Sequence, residues 1–540
     1  MPGLFSPAAG LQLNRRLVRT TTLVLALLLA FVLSAWAIHQ HSATPFTNRY
    51  GGGQSQTVPA LPSSSLLGLD EKSQPTALPY FYPFETTSAF FPIAQDGIDS
   101  KTVEELCSSF PSHLVQRIQP VLKMGHGEDP KKIDAQLGSV SACFGLEELL
   151  VFSDLNDTIR DRRVIDVLAN LPQAYRTNNT DFDNYDAMYE LQRSHKLTAG
   201  NDPASGKNGW RLDKYKFLAE VERAWLMRPG RDWYCFFETD TYIVWDNIFR
   251  FLSILDPAAP LYMGSPSPGR FDEENKVETW FANGGPGFVL SRGAMEKLMA
   301  RKSSASGEFT EAPLTLRGVD LVRNDCCGDS MLGWILWKAG IPLSGFFPMF
   351  NTYPMHAIPF TTRAWCQPVL TMHKTSPEDM VDLWRWEHGR RKLGRPLLYS
   401  DLYEFRHPDA QAIRYDWDNT NWDRLGPGHD VEANDLNSCT RACDAEPECL
   451  QYLWRGEHMK QCVLMPFINA GLPRDPEVKE KNMTISSTEE KAAGTGAKWQ
   501  IVEERFNYTS GWISTKILAW LNQHECDRPD WVYPSTERHY

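Results

Sequence analysis

Residues Thr20 to Ile38 form nineteen consecutive positions without a charge, rich in Leu, Val and Ala. At helical rise they span about 28 Å, the depth of a bilayer core. Arg15, Arg16 and Arg19 precede this run with no acid among them, and only Arg49 follows within the next thirty residues. The positive-inside rule therefore predicts a cytosolic tail over 1–19, a transmembrane signal anchor over 20–38 and a lumenal remainder, a single-pass type II topology. The alternative is a cleaved signal peptide, because Ala35-Trp36-Ala37 resembles a small-x-small cleavage site. From 39 to 79 the chain carries Gly51-Gly52-Gly53, Ser63-Ser64-Ser65 and several prolines without periodicity, the composition of a flexible stem.

Beyond about Thr87 the pattern becomes that of a folded α/β chain. Apolar residues recur at helical spacing over Val103 to Phe110 and Leu114 to Val121. Leu149-Leu150-Val151-Phe152 predicts a first buried strand, with Ser153 and Asp154 at its carboxyl end. The polar, Gly/Asn-rich region from Thr177 to Gly209 predicts a loop-heavy insertion, and Leu212 to Leu226 a helix with Phe217, Val221, Ala224 and Trp225 along one side. Trp233 to Phe237 then reads as a buried strand that stops at two carboxylates, Glu238 and Asp240, after which Asp246 is placed to cap a helix. Further short strands are expected at Pro260 to Gly264, after the Gly284-Gly285-Pro286-Gly287 turn, and at Val369 to His373. A helix is expected from Met331 to Ala339, preceded by a loop holding adjacent Cys326 and Cys327 and then Asp329.

Composition narrows the class. The chain of 540 residues is 42% hydrophobic, with a formal charge of −12 that argues against a nucleic-acid partner. Eleven cysteines, all after residue 100, and four Asn-x-Thr sequons at Asn156, Asn178, Asn482 and Asn507 point to an oxidising lumen. After about Tyr399 the spacing Cys439-x3-Cys443-x5-Cys449-x12-Cys462 predicts a disulfide-stapled module, with three pairings open and zinc as the rival use. The odd total leaves at least one thiol free or intermolecular, and Cys235, inside a buried strand, is the candidate for an inert free one.

Glu238-Thr239-Asp240 at a strand end is placed where open α/β sheets bind ligands, and its carboxylates suit a hard divalent ion. An acid-x-acid triplet alone arises by chance roughly eight times in a chain of this acidity, so context decides. Phe-Phe-Glu-Thr-Asp-Thr-Tyr-Ile over 236–243 resembles the Asp-x-Asp-Thr-Tyr-Val segment of the fringe and core-1 β1,3-galactosyltransferase family, and the resemblance runs in the family's order from about Leu149 to Asp379. Gly284-Gly285-Pro286-Gly287-Phe288-Val289-Leu290-Ser291 is similar to the family's Gly-Gly-Ala-Gly-Tyr-Val-Leu-Ser.

The resemblance implies a GT-A type nucleotide-sugar-binding mixed sheet flanked by helices over 87–399, an inverting mechanism, a UDP-sugar donor, a manganese ion and a Golgi membrane location. It implies nucleotide-sugar contacts at Ser153, Asp154, Glu238, Thr239, Asp240, Gly284 and Gly285, metal ligation by Asp240 and His373 with His356 as a nearby rival, and Asp329 as general base. Glu238 stands where the family has Asp. The C-terminal region, 400–540, resembles a PAN/apple module around 430–470.

Together these readings predict an inverting, metal-dependent transferase that moves a hexose, galactose first, to a glycan or glycoprotein hydroxyl, in an expected β1,3 linkage, from a membrane-anchored chain that allows a homodimer. The alternatives are a catalytically silent lectin-like partner, favoured by Glu238, and a metal-dependent hydrolase on a similar sheet. At two positions the residue type also admits a plainer reading: Asp329 as a helix cap and His373 as a structural histidine. Trp280 and Phe281 are read as core rather than sugar-stacking residues.

Overall fold

A computed structural model describes residues 88–198, 200–392, 394–420, 430–485 and 498–538. The expected cytosolic tail, anchor and stem lie outside the described residues, and among those described no helix is long and apolar enough to cross a membrane.

The head is built on an eight-stranded mixed sheet. In chain order its strands are β1 (Ile118–Lys123), β2 (Leu150–Ser153), β3 (Asp157–Ile159), β4 (Arg162–Asp166), β5 (Trp233–Glu238), β6 (Tyr262–Gly264), β7 (Phe288–Ser291) and β8 (Leu343–Gly345). Their spatial order is β8-β6-β7-β5-β1-β2-β4-β3. β5, β1, β2 and β4 run parallel, whereas β7 is antiparallel to both β5 and β6. The acid-bearing β5 is therefore central, and its carboxyl end opens beside that of β1, with Lys123 in register with Glu238.

Both faces of β5 are covered. Cys235 and Phe237 join one apolar core and Tyr234 and Phe236 the other, the alternation a pleated strand imposes. Cys235 is the one free cysteine, buried as expected, and burial pushes its thiol well up. Helix α1 (Lys207–Met227) packs one side, longer than the predicted Leu212–Leu226 because it starts at Gly206, whose φ of 58° breaks the preceding chain.

Three local expectations are corrected. Leu114 to Val121 is not a helix: a short 3-10 turn over Ser112–Gln116 leads into β1. A parallel strand buried on both faces has no polar alternation, so its apolar residues also fit helical spacing. Leu150–Ser153 is accordingly the second strand of the sheet. The Thr177–Gly209 insertion holds a helix over Asp183–Arg193, whose core contacts are the aromatic Tyr185 and Met188 rather than an aliphatic stripe. Asp246 does not cap its helix, Trp245–Ser253; Val244 stands at the cap, and Asp246 is buried in an ion pair with Arg250 at 3.1 Å.

The C-terminal region carries a five-stranded sheet, ordered Ile413–Tyr415, Tyr508–Trp512, Gln451–Arg455, Gln461–Met465 and Asp430–Glu432, with a helix over Leu436–Ala445. Of the open pairings the structure selects Cys439–Cys462 and Cys443–Cys449, which leaves no sulfur there for zinc. Leu450, Ile468, Trp512 and Trp531 enter the same apolar core as β5, and Cys366–Cys526 ties the two regions covalently. Asn156, Asn178 and Asn507 are exposed, as glycan acceptors must be.

Candidate active site

The carboxyl ends of β1 and β5 open into a cleft of about 750 Å³. Three pieces of chain meet there. The first is the turn after β5, Glu238-Thr239-Asp240-Thr241. Thr241 Oγ1 accepts from the Glu238 amide at 3.0 Å and donates to the Gly285 carbonyl at 2.6 Å, so one hydroxyl ties the acidic turn to the glycine loop. The second is that loop, between the strand Val277–Ala282 and β7. The third is His373, which follows the short strand Thr371–Met372.

Ligand atoms of Glu238, Asp240 and His373 lie within 4.8 Å of one another. His373 Nε2 stands 3.5 Å from Asp240 Oδ1. That oxygen is buried without a hydrogen-bond partner, an orphaned acceptor aimed into a cluster of donors. Burial, then the lysines Lys374, Lys132 and Lys123, pull the His373 imidazole down to about 4 against the attraction of Asp240, so the ring is neutral and has a free lone pair. Two carboxylates and a neutral imidazole fit a divalent cation. His356, the rival, is held in a separate environment with Arg406 and Asp379.

The site is not purely acidic. Lys123, almost fully buried, bonds Asp213 at 2.7 Å and Glu238 Oε1 at 3.0 Å, and its ammonium lies 3.9 Å from the Phe217 ring centre. Burial disfavours that charge, but Asp213, Glu238 and Glu220 outweigh it and hold the ammonium above its ordinary range. Glu238 is raised, by burial first and then by Asp213 and Asp240, with Lys123 opposing. Lys132 lies 3.4 Å from Asp240 Oδ2 on the cleft wall.

Asp329 stands in the same cleft. The helix there, α2, spans Gly328–Lys338 with Cys327 at the cap, so Asp329 is inside the first turn and not the cap. Its Oδ2 accepts from the Gly284 amide at 2.9 Å and its Oδ1 from the Ser330 amide at 2.8 Å. Burial raises its carboxyl despite these bonds.

Two glycines make the arrangement possible. A methyl group on Gly284 would meet the Phe217 ring at 2.8 Å, and one on Gly285 would lie 2.1 to 2.3 Å from three atoms of the His373 ring. No side chain fits at either position.

Ser153 and Asp154 do not reach the cleft wall; both are 0% exposed. Asp154 pairs with Lys216 at 2.9 Å and accepts from the His126 amide at 2.6 Å, so it supports the loop Gly125–Gly127 from behind. Burial works against its charge, but Lys216 and that amide hold its carboxyl below the usual range. Thr239 is likewise buried and bonds Glu128 at 3.2 Å. Several cleft residues were not foreseen, Lys132, Asp213, Lys214 and Trp210, nor was Lys123, buried and bonded to Asp213 and Glu238. They come from β1, from the helix after it and from the first turns of α1, and only the charge of Lys123 inside an apolar strand marks any of them in the sequence.

Residues 180–338 match the Fringe-like family. This segment is similar to the fringe-like glycosyltransferases. The Fringe-like segment holds Glu238, Asp240, Gly284, Gly285 and Asp329, while Ser153, Asp154 and His373 lie outside it. The chain is 31% identical over 144 residues to the human β-1,3-N-acetylglucosaminyltransferase lunatic fringe, covering 24% of this chain and 35% of that one. It is 33% identical over 161 residues to the zebrafish (Danio rerio) lunatic fringe, covering 28% and 42%. To the Drosophila melanogaster fringe glycosyltransferase it is 33% identical over 97 residues, covering 16% and 22%. The chain thus spans less than half the length of each of these relatives. The family match ends at 338, before the C-terminal disulfide-stapled sheet.

Proposed function

We propose that the cleft is the active site of an inverting glycosyltransferase of GT-A type that moves a sugar from a UDP-sugar to a glycan or glycoprotein hydroxyl in the Golgi lumen. The observation that carries this reading is the placement of two chemistries on one glycine pair: Gly284 holds Asp329, and Gly285 makes room for His373 beside Asp240.

Asp329 takes the proton of the acceptor hydroxyl as that oxygen attacks the anomeric carbon. The bond from that carbon to the diphosphate breaks in the same displacement, on the opposite face, so configuration inverts. A carboxyl raised by burial is a stronger base than an exposed one, and the Gly284 amide fixes its direction. Asp240 and His373, with Glu238 beside them, would hold a divalent ion, manganese by expectation, which when bound neutralises charge on the departing diphosphate. Lys132, beside Asp240, adds a positive charge on the same side. No second carboxylate is needed as nucleophile. The relatives, named as N-acetylglucosaminyltransferases, make N-acetylglucosamine a donor to set beside galactose, and five disulfides suit an oxidising compartment.

A second reading has one observation in its favour. Glu238, longer than the family's Asp, already has Lys123 at 3.0 Å, which suits a silent, lectin-like site that needs no cation. Release of UDP from a panel of uridine nucleotide sugars, with manganese and with chelator, separates the two: metal-dependent release supports the transferase, and no release from any donor supports the silent site.

A further inference from the structure

The cleft has a wall that the donor chemistry leaves unused. Trp210, in the first turns of α1, is 65% exposed yet lines the cleft. One turn on, Lys214 reaches across to the Asp325 carbonyl at 3.2 Å, and the next residue on that side, Phe217, lies under Gly284 and Gly328. Asp325 in turn fixes the adjacent cysteines. Its Oδ1 accepts from the Cys327 amide at 3.1 Å, and its Oδ2 accepts from Arg270 at 2.5 Å. Cys326 and Cys327 are joined to each other, and both line the cleft beside this tether.

A disulfide between neighbours hardly restricts the denatured chain, because the loop it closes is minimal. Its effect is local. It replaces two thiols with an apolar, polarisable ring, and Cys326 is the only exposed cysteine of the chain. An exposed indole and this ring share a rim otherwise dominated by charged groups. Asp329 lies two residues past Cys327 and accepts from the Gly284 amide, next in sequence to the Gly285 that faces His373. A displacement needs departing phosphates on one side of the base and incoming alcohol on the other.

We propose that Trp210 and the Cys326–Cys327 disulfide form an acceptor platform that binds the C–H face of a hexopyranoside ring and presents its hydroxyl to Asp329. This rests on the transferase reading above. Pyranosides carry an apolar C–H face and a polar rim, which suits an aromatic face flanked by Lys214 and Asp213.

The test uses the full chain with manganese and whichever uridine nucleotide sugar it turns over, varying acceptor and donor separately. Trp210→Ala raises the acceptor KM about tenfold, and Trp210→Phe restores most of it, with the donor KM moving less than about twofold in either. The double variant Cys326→Ser/Cys327→Ser raises the acceptor KM in the same direction. An unchanged acceptor KM in both Trp210→Ala and the double variant, or an equal rise in donor KM, overturns the platform. If the wild-type chain releases UDP from no donor, the transferase reading fails by itself. The platform is then read by saturation-transfer NMR with methyl β-glycosides of galactose and N-acetylglucosamine. Ring-proton signals lost in Trp210→Ala support it, and equal or absent signals overturn it.

Discussion

The α-carbon of Gly285 faces the imidazole of His373 so closely that an added methyl group would sit 2.1 Å from its Cε1 atom. The consequence is a test that leaves every proposed ligand in place. Gly285→Ala should push His373 away from Asp240 and raise the manganese needed for half-maximal rate about 10- to 100-fold. A metal titration of UDP release checks it, with circular dichroism to confirm that the fold survives.

Asp329→Asn keeps an oxygen to accept from the Gly284 amide but removes the base. Turnover should fall about 100- to 10,000-fold with donor KM nearly unchanged. Initial rates at varied donor decide the matter, and a large rise in donor KM would assign Asp329 to donor binding instead.

Much of this geometry was legible in the sequence, and the parts that were not share a cause. β5 and its acids, the glycine turn, the strand ending at His373 and the free Cys235 all announce themselves by local pattern. β1 did not, because a strand buried on both faces resembles a helix in its apolar spacing; Pro120, awkward inside a helix, was the overlooked signal. Lys132 and Trp210 reach the cleft, and Lys123 reaches its acids, from elements far from the acidic turn in sequence, so only the tertiary arrangement reveals them. Ser153 and Asp154 show the opposite: the strand end is where it was expected, but Lys216 and the His126 amide occupy the carboxylate.

His126 and Asp202 join the two loops at the cleft rim through a 2.8 Å contact. The bond to Asp202 raises the His126 imidazole, and its partner lowers Asp202 despite burial. For the histidine, whose folded value is raised, the stabilisation is complete below about 6.5 and is lost as pH rises through the folded value. For the aspartate, whose folded value is lowered, it is present above about 3.9 and is lost as pH falls through the folded value. The contact is therefore strongest between those limits. The difference in Tm between wild type and His126→Gln should be largest near pH 5.5 and shrink toward pH 8. A difference that grows with pH would contradict the charged pairing. Comparing the two proteins cancels the opposite contribution of His356 and His388, both lowered by burial.

Cys366–Cys526 spans 160 residues and fastens the C-terminal segment, whose Trp531 stacks on Phe251 at 5.9 Å, to the core behind β5. Replacing both cysteines with serine should lower unfolding stability by about 2 to 5 kcal/mol, read as a lower denaturant midpoint. Cys326→Ser/Cys327→Ser should leave that midpoint nearly unchanged, since its loop is minimal.

The central claim, that Asp240 and His373 hold a cation facing the leaving diphosphate of a UDP-sugar, is tested most directly by UDP release from the full chain in manganese and in chelator, beside Asp240→Ala. The account predicts release in manganese, near-background release in chelator, and loss in the variant at any manganese concentration. Equal release in chelator, or an Asp240→Ala chain as active as wild type, would contradict it.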